Sequence, residues 1–182
     1  MNNNAEEIAY RIRPLTEVDA KQVCTWRYPD PYAFYDIGES NLAELLDPAH
    51  NYIAVEDEAG ALAGFFTFGQ NARVIGAQRS RLYSAPALDI GLGMRPDVTG
   101  RGNGLRFVRA GLVFAAERFR PRMLRLVVAA FNIRAIRVYD RAGFVAGPTF
   151  TSPVRETEVP FLLMTRLNPE LASREGVVDG VR

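Results

Sequence analysis

Hydrophobic positions along the chain change between a spacing of two and a spacing near 3.6, which predicts alternating strands and helices. One segment after a glycine-rich stretch carries apolar residues at helical spacing, namely Leu105, Val108, Leu112, Ala115 and Phe119. The next segment, MLRLVVAAF, is almost continuously apolar and β-branched, which is typical of a strand buried on both faces. NIRAIRVYDRAGF then predicts a second amphipathic helix with Asn132 as its N-cap and Gly143 as its C-cap.

The first half of the chain predicts two helices among strands. AYRIRPL is predicted as a strand, followed by a helix from Thr16, its N-cap, to Trp26. SNLAELLD predicts a short helix capped by Ser40, and YIAVEDEAGALAGFFTFG predicts a hairpin. PALDIGLGMRP, FVAGPTF and VPFLLMTRL complete the strands. Helices between central parallel strands, with hairpins at the edges, predict a mixed α/β sheet.

Length and composition favour a single domain. A chain of 182 residues that is 48% hydrophobic can bury one sizeable core. We expect residues 1–167 to form the domain and 168–182 to be a loosely attached tail. The sequence has no apolar run of the roughly 20 residues needed to cross a bilayer, and its start resembles no signal peptide. A cytoplasmic protein without a membrane partner is therefore expected.

The chain contains one cysteine and one histidine. Cys24 therefore cannot form an intramolecular disulfide, and it lies in an apolar helical row, which favours a buried thiol over a nucleophile. His50 lies in the polar turn DPAHN, which argues against a hydroxyl triad. Two such residues are too few for a zinc site, so no metal ion is expected.

Positive charge is concentrated between Arg95 and Arg141, where eleven arginines accompany three acidic residues. Such a segment suits nucleic acid, or a polyphosphate ligand with a cationic substrate elsewhere, or is simply a solvated surface. The arginines alternate with a helical core row and not with exposed aromatic residues. Nucleic acid is therefore the weakest of these alternatives, and we expect no nucleic-acid partner.

The segment TGRGNGL, residues 99–105, runs into the predicted helix. It is not a P-loop, because Gly104 is followed by Leu105 and Arg106 and not by Lys-Ser/Thr, and it lacks the third glycine of the dinucleotide fingerprint. Backbone amides at a helix N-terminus have no partner inside the helix and can bind an anion. Gly100, Gly102 and Gly104 would let phosphate oxygens approach closely, so a pyrophosphate site is predicted; a turn that only caps a core helix is the alternative.

The stretch LGMRPDVTGRGNGLRFV followed by NIRAIRVYDRAGF resembles the acetyl-CoA-binding core of the GNAT superfamily of N-acetyltransferases. The loop of that family reads Gln/Arg-x-x-Gly-x-Gly/Ala, and Thr99, Gly102 and Gly104 occupy these places, with Thr99 departing from the pattern. The resemblance implies a mixed, mostly antiparallel central sheet with a splayed pair of parallel central strands, flanked by about four helices. It implies acetyl-CoA as cosubstrate, direct transfer to a primary amine on a small molecule or a peptide or protein N-terminus, and a homodimer as a candidate assembly.

The resemblance also implies roles for individual residues. The main chain of Leu92 and Met94 would hold the pantetheine arm, Asn132 would contact that arm, and Tyr139 would protonate the departing thiolate. Tyr139 as a core aromatic and Asn132 as a simple N-cap are the alternatives. The expected cofactor-binding set is Leu92, Met94, Thr99, Gly100, Arg101, Gly102, Asn103, Gly104, Leu105 and Asn132.

Removal of the proton of an alkylammonium, whose pKa is roughly 10, suits a carboxylate acting directly or through water. Asp89, on the strand before the loop, is the candidate base, with a carboxylate bonded to backbone amides as its alternative. Glu156 and Glu158 are substitutes for it.

The expected acceptor groove lies at the aromatic segment after the first helix, where Asp30 and Asp36 add carboxylates that suit a cation. The alternative is a lid that packs its aromatic residues onto the core. The expected substrate-binding residues are Trp26, Tyr28, Tyr32 and Tyr35. A non-catalytic acyl-CoA-binding or regulatory module of the same fold is the alternative function.

Overall fold

Residues 10–154 and 157–168 are described in a computed structural model, and they form seven strands and five α-helices with short 3₁₀ turns. In chain order these are β1 (Arg11–Pro14), α1 (Glu17–Thr25), α2 (Leu42–Leu46), β2 (Ile53–Glu56), β3 (Leu62–Phe68), α3 (Ile75–Arg79), β4 (Leu88–Met94), α4 (Gly104–Phe119), β5 (Met123–Ala129), α5 (Ile133–Arg141), β6 (Val145–Val154) and β7 (Thr157–Leu167). The predicted tail lies outside the described residues except for Asn168.

One sheet contains all seven strands in the order β1-β2-β3-β4-β5-β7-β6. β4 and β5 run parallel, and every other neighbouring pair is antiparallel. The parallel pairing has only two rungs, Leu88 with Leu124 and Asp89 with Arg125. Beyond them β4 continues along β3 and β5 continues along β7, so the two strands diverge. This confirms the predicted mixed sheet with a splayed central pair.

Two apolar clusters cover the two faces of the sheet. The larger one packs α4 and α5 against the sheet, and in it the rings of Phe66 and Phe107 stack with centroids 4.7 Å apart. The smaller one packs α1 and α2 onto the other face and includes Cys24, which is buried as predicted. Among the described residues, no helix is both long and apolar enough for a membrane span.

The predicted helix starts are confirmed at two places and wrong at a third. Thr16 Oγ1 accepts from the Asp19 amide at 3.3 Å while the Asp19 carboxylate accepts from the Thr16 amide at 2.8 Å, a capping box. Asn132 Oδ1 accepts from the Ala135 amide at 3.1 Å. Ser40 does not cap α2; it lies in a 3₁₀ turn, Glu39–Asn41, that comes directly before α2.

Helix α3 was not predicted from the sequence, and it raises the number of α-helices among the described residues to five. Five residues are too few to show a helical period, and the segment contains Gly76. That glycine is required by packing, because an added Cβ would collide with the main chain of Thr151. Its amide donates to Ser152 Oγ at 3.0 Å.

Candidate active site

A cavity of about 540 Å³ lies at the opening between β4 and β5. Both faces of the sheet contribute to its wall: Ile90 belongs to the core under α4 and α5, whereas Gly93 faces Phe65 in the cluster under α1 and α2. The cavity therefore crosses the sheet. The loop before α4 and helix α5 border it on one side, and segment 28–37 borders it on the other.

The register of β3 and β4 decides which backbone groups face the opening. Gly69 N–H donates to the Asp89 carbonyl at 2.9 Å, and Arg95 N–H donates to the Ala63 carbonyl at 2.8 Å. Residues that exchange hydrogen bonds alternate in an antiparallel pair, so the odd-numbered residues of β4 are bonded to β3. The N–H and C=O groups of its even-numbered residues point away from β3, toward the opening.

Ile90, Leu92 and Met94 are the even-numbered residues of β4 beyond the last rung with β5, and Leu92 and Met94 lie farther from that rung than Ile90 does. Leu92 presents both its N–H and its C=O to the opening. The Met94 carbonyl already accepts a hydrogen bond from the Tyr28 hydroxyl at 2.7 Å, so Met94 presents only its N–H. The main-chain site expected at these two residues is therefore available at Leu92 and half occupied at Met94.

The loop from Thr99 to Asn103 places a row of donors at the start of α4. Within the described chain, the amides from Gly100 to Leu105 have no main-chain acceptor. Thr99 uses its side chain inside the loop, donating from Oγ1 to the Pro96 carbonyl at 2.7 Å. The departure of Thr99 from the family pattern therefore leaves the amides in place but supplies no free side-chain group.

Gly102 adopts a φ of 86°, and an added Cβ would meet no described atom within 4 Å. Its glycine is thus required by the backbone conformation, and the space beside it is open. Gly104 is a glycine because of packing, since a Cβ there would lie 3.1 Å from Val138 Cγ2, where α4 approaches α5.

Most of the predicted cofactor-binding residues line the cavity: Leu92, Met94, Thr99, Gly100, Gly102, Gly104, Leu105 and Asn132. Arg101 and Asn103 are not part of its wall. Arg134 was not predicted, yet it lines the mouth, with its guanidinium carbon 4.5 Å from the centroid of the Tyr32 ring. Arg134 lies in the first turn of α5, two residues after the N-cap Asn132, and this position could have indicated from the sequence that it belongs to the site.

Tyr139 lies on α5, is 8% exposed and lines the cavity. Its ring also packs edge-on against Phe144, so it is both a core aromatic and a wall residue. Burial raises the pKa of its phenol above the ordinary value, with a smaller contribution from Tyr35. The phenol therefore stays protonated at neutral pH.

Asp89 is not part of the cavity wall. Its carboxylate is 3% exposed and is bound by two guanidinium groups, with Arg125 Nε at 2.6 Å from Oδ1 and Arg73 Nε at 2.7 Å from Oδ2. This placement argues against the expected role of Asp89 as the base, because both oxygens are already occupied by cations. The two arginines also lie over the Tyr83 ring, at 4.5 Å for Arg125 and 4.8 Å for Arg73.

Three of the four expected acceptor-binding residues line the cavity, namely Tyr28, Tyr32 and Tyr35. Trp26 does not: it is 6% exposed and stacks on Phe65 with ring centroids 6.1 Å apart, so it belongs to the core.

The acids expected near the acceptor are absent from the described part of the cavity wall. Asp30 and Asp36 do not line it, and Asp36 Oδ1 instead accepts from the Tyr28 amide at 2.9 Å. Glu158 is exposed on β7, and Glu156 lies outside the described residues. No group of three metal-ligating side chains occurs among the described residues.

The profile of the acetyltransferase (GNAT) domain matches residues 10–145, which is most of the chain. Two curated relatives are mycothiol acetyltransferases. The one from Propionibacterium freudenreichii subsp. shermanii is 35% identical over 101 residues, covering 56% of this chain and 29% of the relative. The one from Mycobacterium sp. strain JLS is 32% identical over 113 residues, covering 60% and 34%. The chain thus spans about a third of the length of these relatives.

Solved structures share the fold at low sequence identity. A chimera of the spermidine N-acetyltransferase SpeG from Vibrio cholerae with hSSAT superposes with a TM-score of 0.65 at 17% identity, covering 90% of this chain and 99% of that chain. SpeG in complex with manganese ions gives 0.63 at 18%, covering 91% and 96%. With the splayed strands, the amide-rich loop and the matched domain profile, this chain belongs to the GNAT acetyltransferase family.

Proposed function

We propose that this protein transfers the acetyl group of acetyl-CoA directly to a primary amine, on a small molecule or at the N-terminus of a peptide or protein. The observation that carries the proposal is the juxtaposition of two features in one cavity. The strands β4 and β5 diverge beside it, and the same wall contains four residues at the start of α4 whose amides have no main-chain acceptor among the described residues, namely Gly100, Gly102, Gly104 and Leu105.

The residues present fit the diphosphate and pantetheine parts of coenzyme A. The amides from Gly100 to Leu105 would bind the diphosphate, with the positive end of the α4 dipole behind them. The open space beside Gly102 admits phosphate oxygens. Leu92 would bind the amide groups of the pantetheine arm as an added strand does, because its N–H and C=O lack a strand partner. When bound, acetyl-CoA supplies an activated acyl group.

The opposite mouth of the cavity suits the acceptor. Three tyrosines approach the opening from the α1–α2 face, namely Tyr28, Tyr32 and Tyr35. The amine would therefore meet the acyl carbon in the opening between β4 and β5. Main-chain N–H groups of β4 would stabilise the negative charge that develops on the acyl oxygen. Tyr139 would supply a proton to the departing sulfur, because it lines the cavity and its phenol is protonated at neutral pH.

A second candidate function is a module that binds acyl-CoA without turning it over. It is favoured by one observation: none of the described residues that line the cavity is Asp, Glu or His. In the catalytic proposal, the ammonium proton therefore leaves through water.

Calorimetric titration with coenzyme A and acetyl-CoA, followed by thiol release across a panel of amines and peptides, separates these functions. The panel includes spermidine, because the SpeG structures that share this fold are named as spermidine N-acetyltransferases. Binding with amine-dependent thiol release supports the transferase. Binding without release across the panel supports the binding module, and absence of binding refutes both.

A further inference from the structure

The hydroxyl of Tyr35 accepts hydrogen bonds but donates none to a described residue. The Ala129 amide and the Asn132 side-chain amide both donate to it, each at 3.3 Å. A phenolic oxygen has two lone pairs and one proton. Both lone pairs of Tyr35 are used, and no described residue accepts its proton.

This pattern is the reverse of that at Tyr28, whose hydroxyl gives its proton to the Met94 carbonyl at 2.7 Å. Tyr28 therefore has no proton left for a ligand. Tyr35 can bind a ligand only as a donor, because two N–H groups hold its lone pairs away from the cavity.

The position of Tyr35 is set by the edge of β5. The Ala130 amide donates to the Pro160 carbonyl at 2.9 Å, so even-numbered residues of β5 are bonded to β7. Ala129 thus directs its N–H into the opening, and that N–H holds Tyr35. Tyr35 lines the same cavity as Tyr139, the proposed acid.

We propose that Tyr35 is a further catalytic residue, whose O–H donates a hydrogen bond to the acyl oxygen from the β5 side of the opening. This inference rests on the proposed acetyl transfer. The amine lone pair forms the C–N bond and the carbonyl π pair moves to oxygen, where the Tyr35 O–H stabilises the charge. The oxygen pair then re-forms the carbonyl as the C–S bond breaks, and the sulfur takes the Tyr139 proton. The proton that the new amide nitrogen loses passes through water to the Tyr139 phenolate and restores the phenol.

A spectroscopic test uses 3-fluorotyrosine placed at position 35 of the full chain. The ¹⁹F resonance is recorded with S-(2-oxopropyl)-coenzyme A, which keeps the carbonyl but has no cleavable thioester, and with S-propyl-coenzyme A, which lacks the oxygen. We expect different ¹⁹F shifts with the two ligands at position 35. The same label at Tyr52, which packs on Phe65 and does not line the cavity, should not distinguish them. Identical shifts at position 35 would overturn the proposal.

Tyr35→Phe gives an independent measurement. We expect kcat to fall by about 100-fold, as when one oxyanion donor is removed, while the Kd for coenzyme A, which has no acyl oxygen, stays within about twofold. A kcat like that of the unaltered protein would refute the role. So would a loss of coenzyme A affinity and melting temperature that matches the loss of activity, because that is the signature of a purely structural tyrosine. If the unaltered protein binds no coenzyme A by calorimetry, the proposed function itself has failed, and this is seen before any variant is made.

Discussion

Asp89 and Arg125 face each other on the last rung of the parallel pairing between β4 and β5, and their side chains form a bidentate ion pair. Arg125 Nε lies 2.6 Å from Oδ1, and Nη2 lies 3.1 Å from Oδ2. Arg125 is 2% exposed and also donates to the carbonyls of Leu82 and Ala85. The pair therefore fixes the point at which the two strands separate and the cavity begins.

Asp89→Asn should lower the free energy of unfolding by about 3–5 kcal/mol, because it leaves the Arg125 guanidinium buried without its anion. Urea unfolding measures this loss. Asp97→Asn is the matched control: Asp97 also pairs with an arginine, Arg95, but its side chain is 61% exposed. There we expect a change of at most about 1 kcal/mol. Full stability of Asp89→Asn with loss of turnover would restore Asp89 as the base.

Several features that depend on local spacing were predictable, although the cap at Ser40 was wrong and α3 was not predicted. Contacts between residues far apart in sequence were not predictable. The loop at residues 99–105 and the cap at Asn132 follow from residues near in sequence, and both are found as expected. Asp89 was given the wrong environment because Arg125 lies 36 positions away, and strand alternation predicts a face but not a partner on the next strand. The donors to Tyr35 are likewise 94 and 97 positions away, so these two hydrogen bonds could not be predicted from the sequence.

Gly102→Ala should weaken coenzyme A binding. Alanine is strained at the φ of 86°, and relief of that strain would turn the loop amides away from a shared anion. Gly60→Ala is the control, since Gly60 has a φ of 77°, its Cβ would also meet nothing within 4 Å, and it lies in the β2–β3 turn. Both variants should lose about 1–2 kcal/mol of stability, while calorimetry should show weaker binding only for Gly102→Ala. Equal affinities of the two variants for coenzyme A would show that the loop does not bind this ligand.

Tyr139→Phe should lower kcat by about 100-fold or more and leave coenzyme A binding nearly unchanged, because it removes a proton donor and keeps the ring packing against Phe144. The phenol pKa is raised by burial above 10.0, so the acid form persists to higher pH than that of a free tyrosine. In the unaltered protein, deprotonation of Tyr139 should therefore not lower kcat as pH rises toward 10. A decline near neutral pH that disappears in Tyr139→Phe would contradict this.

Asp19 should make the fold sensitive to acid. Its hydrogen bonds with Arg13 lower its pKa to about 2 from an ordinary value of 3.8. A carboxyl whose pKa is lower in the folded state stabilises the fold above its unfolded pKa and loses that contribution as pH falls toward the folded value. We expect about 2 kcal/mol to disappear between about pH 4 and pH 2, and Asp19→Asn to remove this dependence. Urea unfolding across pH tests it, with Glu17→Gln, in the exposed Glu17–Lys21 pair, as control. If Asp19→Asn lost as much stability between pH 4 and pH 2 as the unaltered protein does, Asp19 would not be the source of the acid sensitivity.

The acceptor side of the cavity should favour an amine with one positive centre and an apolar body over a polyamine. Tyr28, Tyr32, Tyr35, Ile37 and Phe65 form this wall, and no Asp or Glu is among the described lining residues. Each further ammonium group of a polyamine would lose hydration there without gaining an anionic partner. We expect kcat/KM for 2-phenylethylamine to exceed that for spermidine by at least about tenfold, which corresponds to about 1.4 kcal/mol.

A carboxylate placed in that wall should reverse the preference. Ile37→Glu puts an anion beside the acceptor, and it should raise kcat/KM for spermidine relative to 2-phenylethylamine because the added charge pairs with the distal ammonium. Ile37→Gln has the same shape without the charge and should leave the ratio near that of the unaltered protein. If the unaltered protein prefers spermidine, or if both substitutions shift the ratio equally, then charge in this wall does not select the acceptor.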